Sequence, residues 1–407
     1  MTGHIAFFSF PAYAHLAPTL PVVEELVRRG HRVTYAAADR FADKVAATGA
    51  EVLPYDSTFP WESGLSDDGT RAAMTETVLS FVTEALSPLP AAIRRFADDV
   101  PDLFVHDHAA SETARILARK WDRPIAQTCP TFATNSRFSL NEAQVGKADT
   151  GTEAALDAAD PELLEFFQRQ HAMLDGYGLG EVEIDGFGAD YGPNVVFIPR
   201  EFQVGGDEFE ERYTFVGPCQ TGAQPAATWT PPADGRPVVL ISLGTSYSPG
   251  RAEFFARCAQ AFSGTRWHVV MTLGSALTPA ELGPLPPNVE ALQWVPHPAV
   301  LEHTSVFVTH AGMGSVMESL SIGVPMVCVP HHVDQRVIAG QVEALGLGRT
   351  ISGDRTDAAE LVEMVDAVAA DGAYRQAVRE MRGHLHAAGG TARAADALES
   401  CFARSPA

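Results

Sequence analysis

The first residues that could do chemistry lie in Phe10-Pro-Ala-Tyr-Ala-His15-Leu-Ala-Pro18, which joins a predicted strand to a predicted helix. An imidazole titrates near neutral pH, so His15 could take a proton from a hydroxyl group. Asp107 follows a second apolar strand, in Asp102-Leu-Phe-Val-His106-Asp107-His108. If the two strand ends meet, Asp107 can accept the other ring N–H of His15 and stabilise the imidazolium. A packing role for His15 and an N-cap role for Asp107 are the alternatives.

The second group is Phe307-Val-Thr-His310-Ala-Gly312-Met-Gly314-Ser315-Val-Met-Glu318, which predicts a strand, a glycine-bearing turn and the start of a helix. Glycines let the backbone approach a ligand closely, and a helix N-terminus favours an anion. His310 at the strand end and Glu318 one helical turn inside argue against a plain packing turn. We interpret this segment as a diphosphate cradle.

Three further segments offer groups for the rest of a nucleotide ligand. Trp294, in Trp294-Val-Pro-His297, could stack on a base, and Ser242-Leu-Gly244-Thr245 carries hydroxyls for phosphate oxygens. Asp334 and Gln335 follow another strand and offer a carboxylate and an amide for sugar hydroxyls. Taken alone, each segment also has a loop or core explanation.

Apolar runs alternate with amphipathic stretches through the whole chain, which predicts α/β architecture with parallel strands joined by helices. The predicted strands of the first half are His4–Phe10, Arg32–Ala36, Leu103–His106 and Pro124–Gln127, with Val195–Ile198 closing the sheet. Those of the second half are Val238–Leu243, Trp267–Leu273, Val289–Val295, Val306–Thr309 and Met326–Val329. Residues 141–190 are poor in strand signals and are interpreted as a variable insertion with one helix.

A stretch rich in proline and glycine, residues 217–237, predicts a linker between two domains. We therefore expect domains at 1–216 and 238–407, each a doubly wound Rossmann-like unit, with the last helix returning to the first domain. Open parallel sheets bind ligands at the carboxyl ends of their strands, so we expect the site in the cleft between the domains.

Composition narrows the classes of partner. The chain has 407 residues, and 29 Lys and Arg against 51 Asp and Glu give a net charge of −22. This charge disfavours nucleic acid and anionic membranes as partners. The five cysteines are scattered and suggest no disulfide framework. The adjacent His331 and His332 point apart in an extended segment, so no metal site is predicted. With no signal peptide or membrane-spanning run, a cytoplasmic protein is expected.

These segments resemble the GT-B fold glycosyltransferases of the UDP-glycosyltransferase superfamily, especially the actinobacterial macrolide glycosyltransferases such as the oleandomycin glucosyltransferases. Further matching segments are His31-Arg-Val-Thr-Tyr, Phe41-Ala-Asp-Lys-Val-Ala-Ala-Thr-Gly and Tyr213-Thr-Phe-Val-Gly-Pro. The resemblance implies the transfer of a sugar from a UDP- or dTDP-linked donor to a hydroxyl of a small apolar acceptor such as a macrolide. Glucose is the sugar expected first, and the transfer is expected to invert the anomeric centre and to need no metal ion. The nucleotide sugar is a co-substrate, no other cofactor is expected, and the protein is expected to be a monomer or homodimer.

The resemblance also assigns roles to individual residues. His15 would be the general base and Asp107 its partner, and Glu318 would hold the ribose. The remaining donor-binding residues would be Thr245, Trp294, His297, His310, Gly312, Gly314, Ser315, Asp334 and Gln335. In three places the family's usual residue is replaced: Ala14 stands for glycine before the catalytic histidine, and His297 and His331 each stand for glutamine.

Acceptor contacts are expected from aromatic residues in or near loops of the first half, which could equally belong to the core. These candidates are Phe59, Phe81, Phe132 and Phe138, beside Trp61 and Leu140. Three other functions compete: a nucleotide-sugar epimerase of the same fold, a non-catalytic activator and a nucleotide-dependent oxidoreductase. The missing G-x-G-x-x-G motif weighs against the oxidoreductase, and the His15–Asp107 pair weighs against the activator.

Overall fold

A computed structural model describes residues 2–60, 71–140, 161–179, 192–219, 229–244, 250–275, 277–351 and 358–402. Trp61, Thr245 and parts of the 141–190 and 217–237 segments lie outside these residues. The described chain contains two parallel sheets with helices on both faces, which confirms the predicted α/β class and its two doubly wound units.

The first sheet has seven parallel strands in the spatial order β3-β2-β1-β4-β5-β6-β7. In chain order they are β1 (His4–Phe8), β2 (Arg32–Ala38), β3 (Glu51–Tyr55), β4 (Leu103–Asp107), β5 (Ile125–Cys129), β6 (Asn194–Val196) and β7 (Tyr213–Phe215). Each predicted strand of this half is present, with ends within two residues of those expected.

The prediction that Val195–Ile198 closes this sheet is wrong, because β7 pairs with β6 and forms the edge. Strand β7 has only three residues, too few to show a period in the sequence. The opposite edge strand, β3, also escaped prediction, since Pro54 lies within it. Proline is tolerated there because an edge strand has one side without a ladder partner.

The second sheet has six parallel strands in the order β10-β9-β8-β11-β12-β13. They are β8 (Val238–Ser242), β9 (His268–Thr272), β10 (Val289–Leu292), β11 (Thr304–Thr309), β12 (Met326–Cys328) and β13 (Gly348–Thr350). Strand β13 was not predicted, and its three residues again explain why.

Helices cover both faces of each sheet. Those of the first half are α1 (Tyr13–Leu16), α2 (Leu20–Arg28), α3 (Asp39–Ala46), α4 (Arg71–Leu86), α5 (Leu89–Phe96), α6 (Glu112–Trp121) and α7 (Pro161–Gly176). The second half has α8 (Arg251–Ala261), α9 (His297–Leu301), α10 (Met313–Ile322), α11 (Val333–Ala344), α12 (Ala358–Ala370), α13 (Gly372–Ala387) and α14 (Gly390–Phe402). None of the helices described is long and apolar enough to cross a lipid bilayer.

The final helix, α14, packs against α2 of the first domain. Leu398 is fully buried in the same apolar cluster as Val23 and Leu26. At the edge of this contact the Arg29 guanidinium pairs with Asp396 at 2.6 Å and with Glu399 at 2.7 Å. The end of the chain therefore ties the two sheets together.

The strand order of each sheet reverses at one place, between β1 and β4 in the first and between β8 and β11 in the second. Ligands of doubly wound proteins bind outside the carboxyl ends of the strands at such a switch point. Asp107 ends β4, and His15 follows β1 in helix α1. His310 follows β11, and Gly244 follows β8. Both switch points thus carry predicted site residues.

Candidate functional site

His15 and Asp107 form a hydrogen-bonded pair at the first switch point. The Nδ1 of His15 lies 2.9 Å from Oδ1 of Asp107, and the Asp107 side chain is fully buried. The same oxygen accepts the backbone N–H of Ala109 at 2.8 Å. Helix α6 has Ser111 at its N-cap position, so Asp107 does not cap that helix as the alternative reading proposed. With Nδ1 engaged, Nε2 is the ring nitrogen left for a substrate.

The charges of this pair are coupled. Burial by itself would raise the pKa of Asp107, but the His15 and His108 imidazoles outweigh it and hold that pKa well below its usual range. Burial by itself would lower the pKa of His15, but the Asp107 carboxylate outweighs it, so the net pKa is raised above 6.5. A histidine in this setting is a stronger base than a free imidazole.

His108, to which no role was assigned from the sequence, is a neighbour of the pair. Its ring lies 5.5 Å from that of His15 at an interplanar angle of 11°, and its Nδ1 lies 3.3 Å from Oδ1 of Asp107. In the described part of the chain, these three side chains are also the group whose donor atoms could hold a metal ion, within 4.8 Å of one another. A cation bound to Nδ1 of His15 would take the place of the hydrogen bond to Asp107.

An apolar wall adjoins His15. The Phe10 ring lies 5.4 Å from the His15 ring, 4.9 Å from Phe59 and 4.8 Å from Phe81. Phe10 is buried, whereas Phe59 and Phe81 are half-buried and keep exposed surface. Two of the four predicted acceptor residues therefore lie together beside the histidine, and Phe10 is an addition that the sequence analysis did not assign.

The other two predicted acceptor residues lie in a different cluster. Phe132 is 1% exposed, and its ring stacks on Phe202 at 5.8 Å within the main core. Phe138 packs edge-on against Phe132 at 5.8 Å. A side chain without exposed surface has none to offer a ligand, so the structure favours the core alternative for Phe132.

At the second switch point His310 lies between two glycines. Its side chain occupies the space that a Cβ would need at Gly244 and at Gly312. Gly244 also has a φ of +72°, which L side chains rarely adopt. Burial, followed by the charges of His331 and Arg251, lowers the pKa of His310 to about 3. His310 is therefore neutral near pH 7 and can offer a hydrogen bond rather than a charge.

Helix α10 begins directly after this histidine. Gly312 is its N-cap residue and no side chain caps the helix, so backbone N–H groups of the first turn face outward. Gly314 and Ser315 lie in that turn, and a Cβ at Gly314 would meet no atom within 4 Å. Ala311, just before the helix, has a φ of +63°, a strained value for a non-glycine residue. The turn has the open, dipolar geometry of an anion site.

The residues predicted to hold the nucleoside lie beside this turn. Trp294 is 73% exposed, so the indole is available for stacking. The Nδ1 of His297 lies 3.3 Å from Oε2 of Glu318, a contact between α9 and α10. One oxygen of the Glu318 carboxylate is thus engaged, while the other has no contact with His297.

The two residues predicted to contact the sugar differ in availability. Asp334 is half-buried at the start of α11, and its charge contributes to the raised pKa of His15. Gln335 is 5% exposed, and its Oε1 accepts the backbone N–H groups of His331 at 2.9 Å and His332 at 3.2 Å. The carbonyl oxygen of Gln335 therefore holds its own loop, which leaves the amide N–H groups for a ligand. Thr245 lies outside the described residues.

The two switch points face each other. Asp334 of the second domain is close enough to His15 to affect its pKa. Tyr13 precedes His15 by two residues, and its pKa is raised by burial and then by the charge of Glu318. The base candidate and the donor candidates thus border one cleft.

Arg251 is a further residue beside the cradle that the sequence analysis missed. It begins α8, is 8% exposed and donates to the carbonyl oxygen of Gly244. In the sequence it appears as an ordinary charged residue at a helix start, and only the strand order brings it close to His310.

Residues 265–400 match the family model described as "Erythromycin biosynthesis protein CIII-like, C-terminal domain". The chain is 36% identical to the demethyllactenocin mycarosyltransferase of Streptomyces fradiae over 98% of this chain and 86% of that protein. It is 37% identical to the oleandomycin glycosyltransferase of Streptomyces antibioticus over 98% of this chain and 90% of that protein. The crystal structure of the calicheamicin glycosyltransferase CalG4 superposes with a TM-score of 0.83 at 38% identity and covers 100% of both chains.

Proposed function

Because the chain belongs to the GT-B glycosyltransferases of the group that includes the oleandomycin and demethyllactenocin enzymes, we propose that it transfers a hexose from a nucleoside diphosphate to a hydroxyl of a small apolar natural product. The observation that carries this proposal is the His15–Asp107 pair, at 2.9 Å, beside an aromatic wall and opposite a glycine-rich helix N-terminus. We propose a macrolide or a related antibiotic scaffold as the acceptor.

The acceptor step uses the free nitrogen of His15. The acceptor hydroxyl gives its proton to Nε2 while its oxygen bonds to the anomeric carbon, and the bond from that carbon to the diphosphate breaks. Asp107 stabilises the resulting imidazolium through the Nδ1–H hydrogen bond. A single displacement of this kind inverts the anomeric centre. General-base help of this type is worth about 10²–10⁴-fold in rate.

The departing diphosphate is stabilised by groups of the second domain. The outward N–H groups of α10 and its dipole would bind the diphosphate oxygens and offset the negative charge that they gain as the bond breaks. Neutral His310 and the Ser315 hydroxyl supply further hydrogen bonds. Fixed dipoles of this kind can replace a metal ion, so we propose that the transfer does not depend on one.

UDP-glucose is the donor that we propose first. A UDP ribose has two neighbouring hydroxyls for the Glu318 carboxylate, and Asp334 offers a carboxylate for the hexose. A dTDP-linked deoxysugar is the second candidate, and the 3.3 Å contact between His297 and Glu318 favours it. With one carboxylate oxygen engaged, the other suffices for the single 3′-hydroxyl of a deoxyribose.

A mass-spectrometric transfer assay in the presence of a chelator tests the proposal. UDP-glucose and dTDP-linked sugars are incubated with macrolide and flavonoid acceptors, and a hexose-sized or deoxyhexose-sized mass increase is expected. The anomeric coupling constant of the product, compared with that of the donor, reports inversion. Epimerised donor with no acceptor product would favour the epimerase, and activity lost in chelator but restored by a metal would refute metal independence.

The variant His15→Ala tests the base. Transfer should fall by about 10²–10⁴-fold, because the proton acceptor is lost. Donor affinity, measured by calorimetry with the free nucleoside diphosphate, should stay within about twofold, because His15 lies in the other domain. A parallel loss of donor affinity would contradict the role assigned to His15.

A further inference from the structure

A buried carboxylate on helix α4, that of Glu84, holds the loop that carries Phe59. Glu84 is 1% exposed. Its Oε2 accepts the backbone N–H of Thr58 at 2.7 Å and that of Phe59 at 3.0 Å, and the Thr58 hydroxyl at 3.2 Å. Its Oε1 accepts the Tyr55 hydroxyl at 2.9 Å. A buried carboxylate is costly to desolvate, and these four donors offset that cost.

The bonds to Glu84 lie at the point where strand β3 gives way to the following loop. Tyr55 is the last residue of β3, and the next residues lie outside the strand. Backbone N–H groups in such a loop have no ladder partner, so they need another acceptor. Two consecutive amides share one oxygen of Glu84, which fixes the backbone of Phe59 relative to helix α4.

The same helix supplies another part of the aromatic wall. Phe81 lies one helical turn before Glu84, on the same face of α4. The ring of Phe59 meets that of Phe81 at 5.3 Å and that of Phe10 at 4.9 Å. Phe10 in turn lies 5.4 Å from His15. The carboxylate therefore connects the loop, the helix and the wall next to the base.

We propose that Glu84 is a positioning residue for the acceptor: its carboxylate sets where the Phe59 ring stands in the wall of the acceptor site. This proposal rests on the proposed function, which identifies the aromatic wall as part of the acceptor site. Glu84 does not touch the reacting atoms. Its loss should weaken acceptor binding and leave the donor site, on the other domain, unaffected.

Three variants separate this role from a general effect on folding. Glu84→Met keeps the length of the side chain but removes both acceptor oxygens, whereas Glu84→Gln keeps one oxygen that can face the loop amides. Tyr55→Phe is the matched control, because it removes one hydrogen bond of the same carboxylate without touching the loop bonds. Circular dichroism and a thermal melt show whether each variant is folded.

The first measurement is amide hydrogen exchange of the full-length protein over residues 56–60. Exchange at Thr58 and Phe59 should be at least tenfold faster in Glu84→Met than in the wild type, intermediate in Glu84→Gln and unchanged in Tyr55→Phe. Unchanged protection in Glu84→Met would overturn the anchoring. Hydrogen exchange needs no catalytic turnover, so this measurement tests the anchoring even if the proposed function fails.

The second measurement is steady-state transfer with the acceptor found in the panel assay. The acceptor KM should rise at least tenfold in Glu84→Met, partly recover in Glu84→Gln and stay within twofold in Tyr55→Phe, with the donor KM unchanged throughout. Equal changes in donor and acceptor KM, or a fall in kcat alone, would overturn the positioning role. If the wild type transfers no sugar to any acceptor, the proposed function fails and hydrogen exchange alone decides the anchoring.

Discussion

The variant Asp107→Asn should move the acid limb of the pH profile as well as lower the rate. His15 must be neutral to accept a proton, so wild-type activity rises with pH through the raised pKa of His15, above 6.5. In the variant the Ala109 N–H, 2.8 Å from Oδ1, holds the amide oxygen in place, so His15 keeps its partner but loses the negative charge. Burial, which lowers the pKa of His15, is then opposed only by more distant charges.

The size of the effect follows from the contact. A hydrogen bond to a charged partner contributes about 1.5–3 kcal/mol, and replacing it by a neutral one leaves about 1 kcal/mol. The difference is about 0.5–2 kcal/mol, and we therefore expect the plateau of kcat/KM to fall by about 2- to 30-fold. An adjacent opposite charge shifts a pKa by about 1–3 units, so the acid limb should move to lower pH by at least one unit.

The assay is kcat/KM for the acceptor between pH 5 and 9, together with an NMR titration of the His15 ring. Asp102→Asn is the matched control, because Asp102 accepts the backbone N–H of His4 at 2.8 Å at the far end of β4. That variant should leave the acid limb in place. A lower plateau with an unmoved limb in Asp107→Asn would show that Asp107 does not act through its charge, and the reasoning would be refuted.

Three further predictions concern the donor site and the last helix. Trp294→Ala should weaken binding of the free nucleoside diphosphate by about 10- to 100-fold in calorimetry, because base stacking contributes about 1–3 kcal/mol; unchanged affinity would exclude stacking. Gly312→Ala should displace His310 and weaken donor binding, because the new Cβ would overlap the imidazole. The NMR signal of the His310 ring should therefore shift. Gly314→Ala is the control and should leave that signal in place, because the space around its Cβ is open. Leu398→Ala should lower the free energy of unfolding, measured in urea, by about 2–5 kcal/mol, because the side chain is fully buried against the first domain. A decrease in that free energy of less than about 1 kcal/mol would contradict this packing.

Much of the fold was predictable because its signals are local. Long apolar strands such as β1 and β8 are buried on both faces and read as continuous apolar runs. The edge strands β3, β7 and β13 were missed because they are short or contain proline. Such segments become strands through pairing with a neighbour, and that pairing leaves little trace in their own residues.

The candidate site was predictable to a similar degree. Residue types at strand ends pointed to His15, Asp107 and the His310 turn, since these positions are exposed at the edge of a parallel sheet. His108 and Arg251 were missed because each lies near a site residue that is remote in sequence, His15 for His108 and His310 for Arg251. Acceptor residues could not be separated from core residues in the sequence, because an aromatic residue in a loop and one in the core have the same local pattern.

The two α/β halves, the glycine-bearing turn before α10 and the histidine after β1 could all be recognised in the sequence alone. These features depend on periodicity and residue type within a few positions. Which of these features meet depends on how the strands are ordered in the folded chain. His15 and Asp107 are 92 positions apart, and they touch because β1 lies beside β4 in the sheet. Likewise, Glu84 reaches the Phe59 loop only because α4 packs over the end of β3. Such contacts depend on strand order and burial, which the whole chain sets together and no local segment encodes.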